Sequence, residues 1–292
     1  MAKISWAILP CALVLFSWSA VHAAEPEAGA DPAAALGWKL AVHAYTFQKF
    51  SIFDAIDKTA ALHVKYMSIS GGLTLDGKKR LTTTDLSEQQ WNEIKKKVDE
   101  AGLKLVNFGV VQLPNDEAKS RKVFEFAKRA GVDVLVAEPP EEALDLVEKL
   151  CKEYNIKVAI HDHPKPSHYW NPDTVLAAVK GRTHLMGACA DTGHWMRSGL
   201  DPVECLKKLE GRVIALHFKD LNAIGDPKAH DMPWGTGVGK AREMLEELKR
   251  QKFHGAICVE YEYHWDNSSP EIAECVKWFN KTAAEIAAEP AK

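Results

Sequence analysis

Eight apolar runs of β character alternate one for one with segments of helical periodicity between residues 39 and 287. That alternation limits the chain to very few folds. The runs are 39–45, 64–70, 103–111, 132–138, 156–163, 185–191, 212–220 and 255–262. Helical patterns follow them over 52–62, 87–102, 117–130 and 141–153, after Pro172, after Asp201-Pro202, and over 241–251 and 270–287. The second helix carries its own punctuation, with Ser87 as N-cap, Gln90 at the third position and Gly102 at the end. Several runs are unbroken Val, Ile, Leu and Ala, the pattern of strands covered on both faces. Eight βα units in this length predict an α/β fold, a closed (β/α)8 TIM barrel in a single domain over 38–288. No G-x-G-x-x-G follows the first run, which disfavours a dinucleotide-binding sheet.

The N-terminus reads as a removable export signal. Lys3 precedes an apolar stretch over 4–20, and Val21 and Ala23 stand at the −3 and −1 sites of a cut after Ala23. The stretch falls just short of the roughly 18 residues that span a bilayer, and Pro10 interrupts it. We therefore expect a signal peptide over 1–23, a linker over 24–37, and an exported protein, periplasmic or extracellular, with no stable membrane insertion after cleavage. The chain has a formal charge of −3, and loss of Lys3 makes it −4. An acidic chain has no electrostatic reason to seek nucleic acid. Beyond Cys11, the cysteines Cys151, Cys189, Cys205, Cys258 and Cys275 show no C-x-x-C spacing and read as buried thiols.

In such a barrel the chemistry is built at the C-terminal ends of the strands, and the polar residues collect there. Strand 1 carries His43 and Tyr45. Strand 4 ends at Glu138, strand 5 at His161 and His163, and strand 6 at Asp191 with His194 just beyond. Strand 7 ends at His217 and Asp220, and strand 8 at Glu260 and Glu262. Alternation puts His161 with His163, and Glu260 with Glu262, on one face. A lone His or Glu at a strand end is usually structural or solvated. Four consecutive strands ending in imidazole or carboxylate groups aimed at one point instead suggest a mixed N/O shell for one divalent metal ion: Mn, Zn, Co or Mg.

The segments GACADTGHWMRSGLDP (187–202), IALHFKD (214–220), GTGVG (235–239) and CVEYEYHW (258–265) resemble the xylose isomerase-like TIM barrel family, which includes sugar isomerases, epimerases, dehydratases and endonuclease IV. The resemblance implies metal ligation by Asp191, His217 and Glu260, with the strand 5 ligand, usually a Glu, replaced here by His161. It also implies a substrate contact for His194. Glu138, Trp195 and Lys219 are further candidates for the substrate, and Trp170, Trp234 and Trp265 also sit in expected βα loops. Glu260, His161 and His163 are the candidate acid/base groups.

These features lead us to expect a metal-dependent isomerase or epimerase acting on a carbohydrate or polyol through an enediolate. A lyase that β-eliminates from 3-keto-glycosides or keto-inositols is the alternative, because an imidazole at strand 5 does not replace the second carboxylate of two-base epimerization. A non-catalytic sugar-binding barrel is a third reading, opposed by the intact ligand set. An endonuclease would need a basic track that this chain lacks.

Overall fold

Strands β1 (Trp38–His43), β2 (Tyr66–Ile69), β3 (Lys104–Val111), β4 (Val134–Ala137), β5 (Lys157–His161), β6 (Met186–Asp191), β7 (Val213–Phe218) and β8 (Gly255–Val259) close into one parallel ring. Each strand pairs with its sequence neighbours, and β1 closes on β8 through the register Trp38↔Gly255 to Val42↔Val259. This computed structural model describes Met1 and residues 31–290. Residues 2–23 of the expected signal peptide and 24–30 of the expected linker lie outside the described residues.

The helices obey the signals their sequence carries. The helix Glu88–Glu100 opens with a reciprocal box, in which Ser87 Oγ accepts from the Gln90 amide and the Gln90 side chain accepts from the Ser87 amide. The helix Glu117–Ala130 ends at Gly131, whose φ of 73° suits a residue without Cβ. Within the ring, apolar side chains fill the barrel, and outside it the helices bury Trp91, Ile94, Phe124, Leu150, Leu248 and Phe279 against the strands. Among the described residues no helix is long and apolar enough to cross a membrane. The cysteines Cys151, Cys189, Cys205, Cys258 and Cys275 are all buried and unpaired, as expected.

Four features differ from expectation. The linker is ordered in its last residues: Asp31 caps a short helix, Pro32–Ala35, and Ala33 is only 4% exposed, packed into the main core. Alanine is the best helix former, and here it has a surface to pack on. Strands β5, β7 and β8 stop earlier than their apolar pattern, at His161, Phe218 and Val259, so His163, Lys219, Glu260 and Glu262 stand on loops just past the strands. A six-residue helix, Thr192–Arg197, follows β6 directly. The loop after β2 folds back as a small antiparallel hairpin, Gly72–Thr74 against Arg80–Thr82.

Candidate metal centre

The D-T-G-H segment after β6 packs several functions into one turn. Asp191 ends the strand and caps the helix Thr192–Arg197, its Oδ1 accepting from the His194 amide at 2.9 Å. Thr192 Oγ1 donates to the Lys219 carbonyl at 2.8 Å and accepts from the Lys219 amide at 2.7 Å, which ties this turn to the end of β7. Gly193 is obligatory: a Cβ there would lie 2.7 Å from Cδ of Lys219. The Lys219 stem runs through that gap to the centre of the ring.

Four side chains converge at the C-terminal mouth of the barrel. His161, Asp191, His217 and Glu260 each offer a ligand atom, and these atoms all lie within 4.8 Å of one another. The register explains the convergence, because His217 is the Cα partner of Asp191 on one side and of Cys258, two residues before Glu260, on the other. All four are buried, and Asp191 and His217 are wholly inaccessible. His161 Nε2 lies 3.5 Å from Asp191 Oδ2, and His217 Nδ1 lies 3.1 Å from Glu260 Oε2. Yet His161 Nε2 and both ring nitrogens of His217 lack any hydrogen-bond partner. Orphaned buried nitrogens beside buried carboxylates are costly unless a cation takes them. This donor set of imidazoles and carboxylates fits a divalent metal ion.

Lys219 corrects one expectation. We expected it to touch substrate, but it is wholly buried among the carboxylates. Its Nζ lies 2.7 Å from Asp191 Oδ2, 2.8 Å from Glu260 Oε2 and 3.1 Å from Glu262 Oε2. Burial works against its charge, and these carboxylates more than compensate, pushing its pKa well up. Burial likewise opposes ionisation of Asp191 and Glu260, but Lys219 and the neighbouring imidazoles hold both well below the usual carboxylate range. Asp220 differs in the same way. Strand alternation aims His217 and Lys219 inward and Asp220 outward, where its carboxylate accepts from the amides of Gly235, Gly237 and Gly239 at 2.9, 3.0 and 2.8 Å. The G-T-G-V-G segment is thus wrapped around Asp220.

Beside the cluster opens a cleft of about 160 Å³, lined among others by Tyr45, His163, His194 and Glu262. Glu138 holds two imidazoles at once: its Oε1 meets His161 Nδ1 at 3.0 Å and, more closely, His163 Nδ1. Burial pushes Glu138 up, but these hydrogen bonds overcome it and hold the group well below the usual range. His161 is itself disfavoured as a cation by burial, yet Asp191 and Glu138 push it up to about 10. His163 keeps half its side chain exposed at the cleft mouth. His194 lines the cleft and is nearly buried; burial drives it well below its ordinary pKa, so its ring is neutral.

The tryptophans part company. Trp195 is 1% exposed in the main core, so it cannot meet a substrate as expected. It sits on the inner face of the Thr192–Arg197 helix, where burial of its ring outweighs any use at the rim. Trp234 is equally buried, against Phe218 and Phe279. Trp265 remains near the cleft through Tyr45, 5.7 Å away edge-on, while Trp170 lies under Lys165.

Sequence reading missed Arg197, Asp162, Asp231 and Arg80. Arg197 reaches His194, Glu262 and Asp231. Asp162 is buried behind the cluster and accepts from the Asp191 amide at 2.8 Å. Burial and the nearby Asp191 charge push the Asp162 carboxyl well up. Asp162 adjoins His161 and could have been noticed, but Arg197 and Asp231 lie in segments with no strand pattern.

The model of the xylose isomerase-like TIM barrel family matches residues 56–282. An uncharacterized protein from Parabacteroides distasonis is similar at 33% identity and a TM-score of 0.67, over 84% of this chain and 99% of that one. A D-tagatose 3-epimerase-like protein shares the fold at 20% identity and a TM-score of 0.66, over 85% and 98% of the two chains. A xylose isomerase-like TIM barrel protein from Mycobacterium smegmatis, solved in complex with magnesium, shares it at 14% identity and a TM-score of 0.70, over 87% and 99%. No curated protein matches. With its eight-stranded parallel ring and the family pattern running across most of its length, this chain belongs to the xylose isomerase-like TIM barrel family.

Proposed function

We propose that the protein is a metal-dependent enzyme that moves a proton on the carbon next to a carbonyl of a small carbohydrate. One observation carries this reading: the convergent, buried set His161, Asp191, His217 and Glu260 at the floor of a cleft whose walls carry further acid/base groups. A divalent metal ion held by those four residues would supply Lewis-acid polarisation of the substrate carbonyl. That the Mycobacterium smegmatis protein of the same fold was solved in complex with magnesium supports the reading of a divalent metal. The D-tagatose 3-epimerase-like relative supports a sugar as the substrate class.

The chain's own groups divide the remaining work. Glu260 is pinned by Lys219 and faces His217, so it acts as a ligand. Glu262 lines the cleft with its Oε2 held by Lys219 and Arg197, and its other oxygen, Oε1, is the atom proposed to take a proton from carbon. His163 lines the same cleft, with Nδ1 bound to Glu138 and Nε2 left to hold or give a proton. Glu138 and Glu262 follow β4 and β8, which stand opposite each other in the eight-stranded ring. In this reading Glu262 serves as the base and His163, backed by Glu138, as the acid.

Isomerization or epimerization is the default outcome of that arrangement. The His163–Glu138 pair favours a second reading, elimination. An imidazole at the mouth, half-exposed and backed by a carboxylate, can protonate a departing oxygen and let the leaving group escape. The two readings separate when metal-loaded protein is incubated in deuterated water with a 3-keto-glucoside and, separately, with fructose or tagatose. Aglycone release supports elimination. Deuterium incorporation with formation of an epimer or isomer supports the first reading, and neither signal on any ketose or keto-glycoside would overturn both.

Export belongs to the same proposal. The apolar segment over 4–20 and the small residues at 21 and 23 support cleavage after Ala23. N-terminal sequencing of protein from its native host should give a chain starting at Ala24. An intact Met1 form in the membrane fraction would show an anchor instead.

A further inference from the structure

We propose that Arg80 is the specificity-determining residue of the cleft and that the substrate is a sugar acid, whose carboxylate Arg80 receives. This rests on the reading of the cleft as a carbohydrate site. The cleft is chemically lopsided. It is lined by Glu260, Glu262 and several imidazoles, and also by Tyr45, Ser70 and Arg80, which follow the neighbouring strands β1 and β2. Arg80 is the one arginine or lysine that lines it.

The fold holds that guanidinium in place without neutralising it. Arg80 opens the second strand of the hairpin after β2 and pairs with Thr74. Its guanidinium lies over the Tyr45 ring, 5.6 Å from the centroid. Gly72 makes room, since a Cβ there would sit 2.8 Å from Arg80 Nε. Arg121, Arg182, Arg197, Arg242 and Arg250 each pair with a carboxylate. Arg80, by contrast, makes no ion pair and no side-chain hydrogen bond among the described residues. Ser70 lines the same cleft with 4% exposure, and its buried Oγ has no partner. A free planar fork and an unpartnered hydroxyl in one cleft are complementary to a carboxylate, which accepts two parallel N–H bonds from arginine.

The lopsided charge also fixes orientation. A hexuronate carries its carboxylate at the opposite end of the carbon chain from its carbonyl and the neighbouring hydroxyl carbons. With the carboxylate on Arg80, the reactive carbons point to the metal cluster and to Glu262, while a reversed substrate would set its anion against Glu260 and Glu262. A phosphate dianion would call for a second cation, and the lining offers none.

The test measures binding of D-glucuronate, D-glucose and D-glucose 6-phosphate by calorimetry to the metal-loaded wild type, Arg80→Gln and Arg80→Lys, without turnover. Glucuronate should bind wild type at least about tenfold tighter than glucose. Arg80→Gln should abolish that advantage and leave glucose binding unchanged, and Arg80→Lys should restore part of it. Arg80 is exposed, so the variants should keep the wild-type melting temperature. Equal binding of glucuronate and glucose, no binding of glucuronate, or equal losses for both sugars in Arg80→Gln would overturn the proposal. Tighter binding of the phosphate than of glucuronate would overturn the assignment to a sugar acid. Because only binding is read, failure of the catalytic reading shows separately, as the absence of turnover and exchange.

Discussion

Arg197 Nη1 donates to His194 Nδ1 at 3.0 Å. Because arginine has no acceptor, this bond makes Nδ1 the acceptor and puts the ring proton of neutral His194 on Nε2. That N–H is then available to a substrate oxygen in the cleft, with Asp191 Oδ2 3.6 Å away. Arg197 also joins His194 to Glu262, on the same wall, at 3.0 Å.

Arg197→Met should therefore lower kcat/KM by about 10–100-fold, the usual cost of losing a partner that orients a functional imidazole. The loss should appear with little change in far-UV circular dichroism. Unchanged kinetics would show that the tautomer of His194 is immaterial.

Lys219 puts an ammonium against the carboxylates of two candidate ligands, at Asp191 Oδ2 and Glu260 Oε2. In metal-free protein Lys219→Met should cost about 3–5 kcal/mol, because buried carboxylates are left without a counter-charge. Metal should restore most of that loss in the variant and add less to the wild type. Urea midpoints with and without metal read both effects. A variant as stable as wild type without metal would mean that the carboxylates relax into solvent.

Three of the four candidate ligands make a paired expectation. Asp191→Asn, His217→Ala and Glu260→Gln should each lose most bound metal by elemental analysis, while the apolar ring and its helices keep the barrel folded. Full occupancy in all three would remove the site.

The barrel was legible because apolar β-type runs, several of them unbroken, and 3.6-period segments alternate one for one, and because caps such as Ser87–Gln90 mark helix starts directly. The ligand set was legible for a related reason: the ends of β5 to β8 must meet, so polar residues there must meet as well. What escaped notice lies in short or irregular segments. The Thr192–Arg197 helix is too short to show a period, so Trp195 looked like a loop tryptophan when it is core, and Arg197 carried no signal at all. Arg80 belongs to a hairpin whose sequence, rich in Gly and Lys, reads as loop. The outward aim of Asp220 was available from strict alternation with His217, and its three glycine amide partners explain a motif that otherwise suggests a ligand loop.

Asp220 yields a stability prediction that is independent of the metal. Asp220→Ala would strand three amides, those of Gly235, Gly237 and Gly239. It should cost about 2–4 kcal/mol. Gly237→Ala should also destabilise, since a Cβ there collides with Asp220 Oδ1 and the Leu221 carbonyl. Chemical denaturation of both variants checks this, and a loss below about 0.5 kcal/mol in each would show that the loop re-forms by itself.

Asp231 gives the pH dependence. It is 1% exposed. Its Oδ2 accepts from the Glu262 amide at 3.2 Å and from Arg197 at 3.4 Å, while its Oδ1 has no partner. Burial pushes its carboxyl up to about 7, against the pull of Lys219 and Arg197 and with the help of the charges on Glu262 and Asp191. In the unfolded chain the same group titrates near about 3.9. Between those values the folded state holds a proton that the unfolded state has lost, so unfolding releases a proton and stability falls as pH rises. The contribution is fully present below about pH 4 and gone above about pH 7. Asp231→Asn removes this titration while keeping the shape of the side chain. Urea midpoints at pH 5 and pH 8 should therefore differ less in Asp231→Asn than in wild type, and the variant should be relatively more stable at the higher pH. The same change of midpoint with pH in both proteins would show that Asp231 is already ionised in the fold at pH 5.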